Sequence, residues 1–221
     1  MKGLIIRNTG AHYMVLTDDG NETAAKVKGN FRIKGIRTTN PVAVGDRVEI
    51  RMPDRDRGDD TALIVAVEPR RNYIIRRSSN LSKEAHIIAA NIDQAFLVVT
   101  LAHPTTSTTF IDRFLATAEA YGVKAFLVIN KTDLLAGDPD GEALLEAVER
   151  LYRMIGYDVI ALSALTGEGI DTLRERLAGK ITLLSGNSGV GKSTIINDLL
   201  PGLNLRTAPI STVHDTGMHT T

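Results

Sequence analysis

A glycine-rich octapeptide at residues 186–193 constrains the fold of this chain more than any other feature of its sequence. It reads Gly-Asn-Ser-Gly-Val-Gly-Lys-Ser, which matches the phosphate-loop pattern Gly-x-x-x-x-Gly-Lys-Ser. Such a loop follows a strand and opens a helix, because its backbone N–H groups and the helix N-terminus hold a phosphate together. The apolar run 181–184 and the helical period of 194–200 supply both elements. The octapeptide therefore predicts an α/β domain that binds a nucleotide.

The residue types in this loop predict the role of each part. The glycines allow the backbone to curl so that successive N–H groups face the phosphates. We expect Lys192 to contact the β- and γ-phosphates as the catalytic cation, and the Ser193 hydroxyl to bind Mg²⁺. The predicted nucleotide-binding residues of this loop are Gly186, Asn187, Ser188, Gly189, Val190, Gly191, Lys192, Ser193 and Thr194.

A second loop, Asn130-Lys131-Thr132-Asp133, follows an apolar strand and has the Asn-Lys-x-Asp pattern of the guanine-reading loop of GTPases. The Asp133 carboxylate can accept both the ring N1–H and the exocyclic amine of guanine, whereas adenine has neither donor there. We expect Asn130 to hold the loop and to reach the other edge of the base. The Lys131 stem is expected to lie over the ring, and Thr132 completes the predicted binding set.

A third loop begins with Ser163-Ala164, at the end of the strand 159–162. A backbone N–H of this pair is expected to meet the guanine carbonyl oxygen. The Ser-Ala pair alone is a weak signal, but the three loops together favour a site that binds a guanine nucleotide. An ATP-using kinase or ATPase is the alternative enzyme class, against which Asp133 argues. A binding module that uses the nucleotide only as a structural or timing element is the alternative outside enzymes.

The sequence from residue 91 onward alternates between strands and helices. Its apolar strands are 92–100, 123–129, 159–162 and 181–184. Residues with helical spacing lie between them, and Gly122 and Gly156 end two of the helices. This alternation requires a parallel sheet with helices on its faces, and ligands bind at the carboxyl ends of such strands. We therefore expect the three loops to lie at one edge of the sheet.

The first 72 residues show short strands with turn residues between them. The five runs are 4–7, 13–16, 22–27, 47–50 and 62–67. Five strands with little helical period fit a small closed barrel of the OB type, and an SH3-like barrel is the alternative. The predicted architecture is an all-β OB-like barrel at 1–72, a linker at 73–90 and an α/β nucleotide-binding domain at 91–221.

The net charge of the chain is zero, but its charged residues are distributed unevenly along the sequence. Residues 1–80 contain 15 Lys and Arg against 10 Asp and Glu, whereas residues 81–221 contain 11 against 16. A basic front half favours docking on structured RNA by shape and charge, since aromatic residues are few there. The alternative is a solvated basic surface. The predicted RNA-binding residues are Lys26, Lys28, Arg32, Lys34, Arg37, Arg70, Arg71, Arg76 and Arg77.

Composition excludes several protein classes. The chain has no cysteine, so neither a disulfide nor a thiolate zinc site is expected within it. Hydrophobic residues at 43% and charged residues at 24% are typical of globular proteins and exclude a disordered chain. The longest apolar runs are far shorter than the ~18 residues of a membrane-spanning helix, and Met-Lys-Gly runs straight into a strand-like segment, so we expect no leader. We expect a monomeric, cytoplasmic protein without membrane contact.

The order of the three loops is reversed relative to an ordinary GTPase, in which the phosphate loop comes first. A circular permutation accounts for the order, because the termini of a compact domain often lie close together. A permuted GTPase domain behind a basic OB-like barrel resembles the ribosome-small-subunit-dependent, circularly permuted GTPases of bacteria. The resemblance covers nearly the whole chain. It includes Val-Gly-Asp-Arg-Val at 44–48, and Gly-Met-His-Thr-Thr at 217–221, which is similar to the start of switch I.

The resemblance implies a slow GTPase that uses GTP and Mg²⁺ and is stimulated by the small ribosomal subunit and its rRNA during late maturation. It implies that Thr220 or Thr221 closes on Mg²⁺ and the γ-phosphate. His219 is a candidate to orient the attacking water, with a surface histidine as the alternative. In the family, an Asp-x-x-Gly strand with switch II and a Cys/His zinc domain follow this point. We therefore expect Zn²⁺ only in a domain absent from this chain, and slow or absent turnover by the 221 residues.

Overall fold

Two units of different architecture make up the chain. The computed structural model describes residues 1–10, 12–27, 41–52, 61–77, 85–203 and 205. Its contacts separate Met1–Ile92 from Asp93–Thr221. None of the helices within the described ranges is long and apolar enough to cross a membrane.

The first unit contains a closed barrel of five strands. They are β1 (Lys2–Asn8), β2 (Tyr13–Thr17), β3 (Glu22–Val27), β4 (Arg47–Arg51) and β5 (Ala62–Val67). The strands pair in the order β1-β2-β3-β5-β4, and β4 returns to β1. Alternate side chains point inward, so Ile5, Val15, Val48 and Ile64 are fully buried. The barrel confirms the OB-like fold predicted from the short strands.

Residues 73–90, predicted as a linker, contain two paired strands. β6 (Tyr73–Arg77) and β7 (Ala85–Ala90) are antiparallel and lie in the first unit. The Ala90 N–H donates to Val44 O at 2.9 Å, and a Cβ added to Gly45 would lie 2.0 Å from Ala90 O. These contacts attach the pair to the segment that precedes β4. The sequence pattern could not reveal them, because the contacting segments are far apart in the chain.

The second unit is built on a parallel four-stranded sheet, which confirms the predicted α/β class. Its strands are β8 (Gln94–Val99), β9 (Lys124–Ile129), β10 (Asp158–Ala161) and β11 (Thr182–Ser185), in the order β10-β9-β8-β11. Its helices are α1 (Thr108–Ala120), α2 (Pro139–Met154), α3 (Ile170–Leu177) and α4 (Lys192–Leu199), with a 3₁₀ turn at Thr132–Leu134. Every residue of β8 is buried, and Phe96 meets Phe126 edge to face at 4.7 Å between ring centroids.

Helix α2 begins earlier than the apolar period predicts, because capping residues specify the start of its first turn. The Asp138 side chain accepts the Asp140 N–H as the N-cap, and Pro139 occupies the first helical position, where its missing N–H costs nothing. The first apolar residue of the predicted period, Leu144, comes more than one turn later. The helix end predicted at Gly156 agrees with the structure to within two residues.

The parallel sheet brings the three predicted loops to one edge. β9, β10 and β11 end at Ile129, Ala161 and Ser185, and the loops follow within one or two residues. All three strands run in the same direction, so their carboxyl ends meet at the same edge. The permuted chain order thus leaves the spatial arrangement of the loops intact.

Candidate nucleotide-binding site

The phosphate loop requires glycine at both ends. Gly186 has a φ of +150°, and a Cβ there would lie 2.2 Å from Val98 O. Gly191 has a φ of +93°, and a Cβ there would lie 2.3 Å from Asn130 Nδ2. Any other residue at either position would force the loop away from β8 or from the base-reading loop. The two glycines therefore hold the loop against its neighbours.

The interior of this loop is a set of unengaged hydrogen-bond donors. In the described part of the chain, the backbone N–H groups of residues 187–191 donate to no protein group. Helix α4 starts at Lys192, so the positive end of its dipole faces the same region. A run of free N–H groups at a helix N-terminus fits the α- and β-phosphates of a nucleotide. The loop geometry thus agrees with the chemistry that the sequence predicts.

Lys192 folds back across the loop. Its ammonium donates to Gly186 O at 2.9 Å and to Asn187 O at 2.6 Å, and burial lowers its pKa. Both acceptors are neutral carbonyls, so phosphate oxygens would be stronger partners for the same cation. The Ser193 hydroxyl, one residue on, has no hydrogen bond to the described protein groups and could hold Mg²⁺. Thr194 is half-buried in the first turn of α4.

Asn130 joins the three loops. Its side chain is 3% exposed, its Nδ2 donates to Val190 O at 2.8 Å, and its Oδ1 accepts the Ala164 N–H at 3.0 Å. One amide group therefore bridges the phosphate loop and the Ser163-Ala164 loop. The predicted holding role of Asn130 has a geometric basis in these bonds. One Nδ2 hydrogen remains for the other edge of the base.

Asp133 is oriented by Ser163. The Ser163 hydroxyl is buried, donates to Asp133 Oδ1 at 2.5 Å and accepts the Thr166 N–H at 3.2 Å. Asp133 Oδ2 has no partner among the described protein groups. Oδ1 keeps a second lone pair and Oδ2 is open, so the carboxylate can accept one donor from a base at each oxygen while the Ser163 hydroxyl fixes its orientation.

The Ala164 N–H, a predicted donor to the guanine carbonyl, donates to Asn130 Oδ1 at 3.0 Å in this structure. The Ser163 N–H donates to Glu168 O at 2.9 Å. The next amide, that of Leu165, has no acceptor in the described ranges, and its side chain is 81% exposed. Leu165 is therefore a further candidate donor to the base; sequence reasoning missed it, because only the hydrogen bonds of its neighbours show which amide is left over.

Lys131 adopts an unusual backbone conformation. Its φ is +66°, in the left-handed region that costs an L-residue about 1–2 kcal/mol. Its ammonium donates to His103 O at 2.7 Å, and burial lowers its pKa although the nearby Asp133 carboxylate raises it. Thr132 ties the same loop to the end of β10, since its N–H donates to Leu162 O at 3.3 Å.

The predicted switch residues His219, Thr220 and Thr221 lie outside the described residues. So do Lys28, Arg32, Lys34 and Arg37 of the predicted RNA-binding set. Among the residues whose positions are described, no group of three or more His, Cys, Asp or Glu side chains could hold a metal ion.

One predicted RNA-binding residue, Arg70, is engaged by a carboxylate within the protein. The Arg70 side chain is 6% exposed, and its Nε and Nη2 donate to the Asp46 carboxylate at 2.7 Å and 2.6 Å. Its Nη2 also donates to Pro41 O at 2.8 Å. A phosphate would have to displace a buried carboxylate to reach this guanidinium. Arg70 is a structural ion-pair partner, and the sequence could not show this because Asp46 is distant in the chain.

Four other predicted RNA-binding residues of the first unit lie among the described residues. Arg71 is exposed and one of its nitrogens donates to Asn91 O at 3.1 Å. Lys26 is partly exposed on β3, and Arg76 and Arg77 belong to β6. These four residues stay candidates for contact with a phosphate backbone.

Comparison with protein families gives two matches that together cover most of the chain. Residues 67–221 match the family model described as RsgA GTPase, and residues 2–59 match the RsgA N-terminal domain. The first match includes the three loops and the second includes four strands of the barrel and part of their connections.

Individual relatives are similar over the full 221 residues. The chain is 59% identical to the small ribosomal subunit biogenesis GTPase RsgA of Bacteroides fragilis and 54% identical to that of Porphyromonas gingivalis. In both cases all of this chain and 69% of the relative are covered.

Two solved structures share the fold. YjeQ from Thermotoga maritima matches with a TM-score of 0.67 and 36% identity, over 94% of this chain and 67% of that one. YloQ, described as a circularly permuted GTPase, matches with a TM-score of 0.61 and 30% identity, over 90% of this chain and 64% of that one.

Proposed function

The chain belongs to the RsgA GTPase family, and on that premise we propose that it binds GTP and hydrolyses it to GDP and phosphate. We propose further that the small ribosomal subunit stimulates this reaction and that the protein acts in the late maturation of that subunit. A factor with this role would work in the cytoplasm, and we propose that it does so as a monomer.

The observation that carries the proposal is the bridge made by Asn130. A single buried amide connects the phosphate loop, the base-reading loop and the Ser163-Ala164 loop, at 2.8 Å and 3.0 Å. The bridge unites phosphate binding and base reading in one site, although the loops occur in permuted order along the chain. An ATP-using enzyme would have no use for Asp133, whose carboxylate Ser163 holds in place.

The proposed chemistry divides among the residues of the chain. The free N–H groups of residues 187–191 hold the phosphates, and Lys192 moves from Gly186 O and Asn187 O to the β- and γ-phosphates. Ser193 would hold Mg²⁺, which when bound would supply positive charge beside the phosphate oxygens. Asp133, the Lys131 stem and the Leu165 N–H surround the base. The site residues at 219–221 lie outside the described structure, so their switch roles and the slow turnover stay predictions.

GTP turnover with and without purified small ribosomal subunits tests this function. In a protein that carries this sequence together with the family's switch II, we expect phosphate release that rises with added subunits and is lost in Lys192→Ala, because the variant removes the cation that spans the β- and γ-phosphates. Lys180→Ala, an exposed lysine outside the site, is the control and should leave turnover unchanged. Nucleotide binding without turnover in either condition would favour the binding-module alternative. Turnover that survives in Lys192→Ala would contradict the proposed site.

We also propose that the first unit contacts rRNA through Lys26, Arg71, Arg76 and Arg77. Replacing all four with glutamine should weaken binding to small subunits. The log–log slope of affinity against salt concentration should become shallower by up to roughly 0.9 for each phosphate that the variant no longer neutralises, because fewer counterions are released on binding.

A matched control makes the same charge change on the other unit. Arg113, Arg150, Arg176 and Lys180 are exposed there, and their replacement with glutamine should leave the salt slope unchanged. Sedimentation with small subunits at several salt concentrations measures both variants. Equal salt slopes for the parent and the first variant would mean that these four residues do not contact rRNA and form only a solvated basic surface.

A further inference from the structure

We propose that the loop between β8 and α1, residues 100–106, is a positioning element for the base site and acts through Lys131. This inference rests on the proposed function, because it concerns how the same site holds its guanine. The loop follows the central strand β8, whose neighbours β9 and β11 carry the base-reading loop and the phosphate loop. The loop 100–106 therefore lies beside both the base-reading loop and the phosphate loop.

Two threonines close this loop. The Thr106 N–H donates to Thr100 O at 2.9 Å, and the Thr106 hydroxyl accepts the Thr100 N–H at 3.2 Å. The Thr100 hydroxyl donates to Pro104 O. Thr100 is 0% exposed and Thr106 is 5% exposed, so water does not compete for these bonds. The closed loop fixes the direction of the backbone carbonyls at its tip.

One of those carbonyls holds Lys131. His103 O accepts the Lys131 ammonium at 2.7 Å. The two residues are 28 positions apart, so this is a contact between separate loops and not a local turn. A lysine with a free ammonium would sample many rotamers of its four-carbon stem, and a bound base would have to restrict them. Anchoring the ammonium beforehand keeps the stem extended across the site.

The chemistry of the contact supports a positioning role. The ammonium is paired with a neutral carbonyl although the Asp133 carboxylate is two residues away in the chain. The Asp133 side chain is instead held by Ser163, and Asn130 is held by Val190 and Ala164. Asn130, Lys131 and Asp133 thus each have a separate anchor, and the loop 100–106 supplies the one for Lys131.

A double-mutant cycle on the full chain, with GDP as the ligand, tests the inference. Thr106→Val removes the hydroxyl that accepts the Thr100 N–H, and Lys131→Met removes the ammonium that reaches His103 O. Each variant should weaken GDP binding by about 3- to 10-fold, the range expected for one net hydrogen bond. The double variant should be no weaker than Lys131→Met alone, since the loop acts through that side chain.

Two further variants and a melting curve complete the test. Thr106→Ser restores the hydroxyl and should restore GDP affinity, which a mere packing role of the threonine methyl would not allow. Thr105→Val, at the exposed neighbouring threonine, is the control and should bind GDP as the parent does. Thermal denaturation followed by circular dichroism shows whether each variant is folded.

The results that would overturn the inference differ from those that would overturn the function. Additive losses in the double variant, or full GDP affinity in Lys131→Met, would show that the loop does not act through Lys131. Full GDP affinity in Lys131→Met would overturn the inference even if Thr106→Val does not fold. Lys131 is partly exposed, so its truncation leaves the sheet core untouched and the variant can be measured. A parent chain that binds no GDP would contradict the proposed function itself and the inference with it.

Discussion

Replacing Asp133 with asparagine should lower the affinity of the chain for GDP by at least about 100-fold and raise its affinity for the xanthine diphosphate. The carboxylate has one oxygen held by the Ser163 hydroxyl at 2.5 Å and the other open to a base. An amide cannot accept both the ring N1–H and the exocyclic amine of guanine. It can donate to the extra carbonyl of xanthine, so the preference should reverse.

Titration calorimetry with the two diphosphates measures this change. Asp140→Asn, at an exposed position in the first turn of α2, makes the same chemical change away from the site and should bind GDP normally. If Asp133→Asn binds GDP as tightly as the parent does, the base is not read by this loop.

Removing the Asp46 side chain should lower the free energy of unfolding of the first unit by about 3–5 kcal/mol, because it leaves the Arg70 guanidinium buried without its counter-ion. Asp46 is fully buried and accepts two hydrogen bonds from Arg70 and one from the Ala43 N–H. The loss of all three bonds adds to the cost of the unpaired charge.

Urea unfolding followed by a barrel-specific probe checks this prediction for Asp46→Ala. The control is Asp18→Ala, which breaks an exposed ion pair with Arg47 at 2.9 Å and should cost about 0–1 kcal/mol. Equal effects of the two variants would mean that the Asp46–Arg70 pair is not the structural support that its burial indicates.

The elements that local patterns specify were predictable from the sequence. The octapeptide at 186–193 specifies a strand, a glycine loop and a helix within a few residues, and β11 and α4 lie where it places them. The five short runs of the first unit likewise correspond to β1–β5. In each case the deciding interactions, backbone pairing and one-sided burial, leave a periodic signal in the sequence itself.

The features that sequence could not reveal depend on contacts between distant segments. Arg70 was predicted to bind RNA because its charge is visible in the sequence and its partner Asp46, 24 residues away, is not. The proposed role of the Leu165 N–H depends on Asn130, 35 residues earlier, whose side chain accepts the neighbouring Ala164 N–H. The anchor of Lys131 lies 28 residues away at a backbone carbonyl, which no residue type encodes.

The central claim is that three loops in permuted order form one guanine nucleotide site, and the relative affinity of the parent chain for GDP and ADP tests it most directly. Titration calorimetry in the presence of Mg²⁺ should show GDP binding at least about 100-fold more tightly than ADP, because adenine leaves the Asp133 carboxylate without its two donors. Equal affinities, or tighter binding of ADP, would contradict the claim.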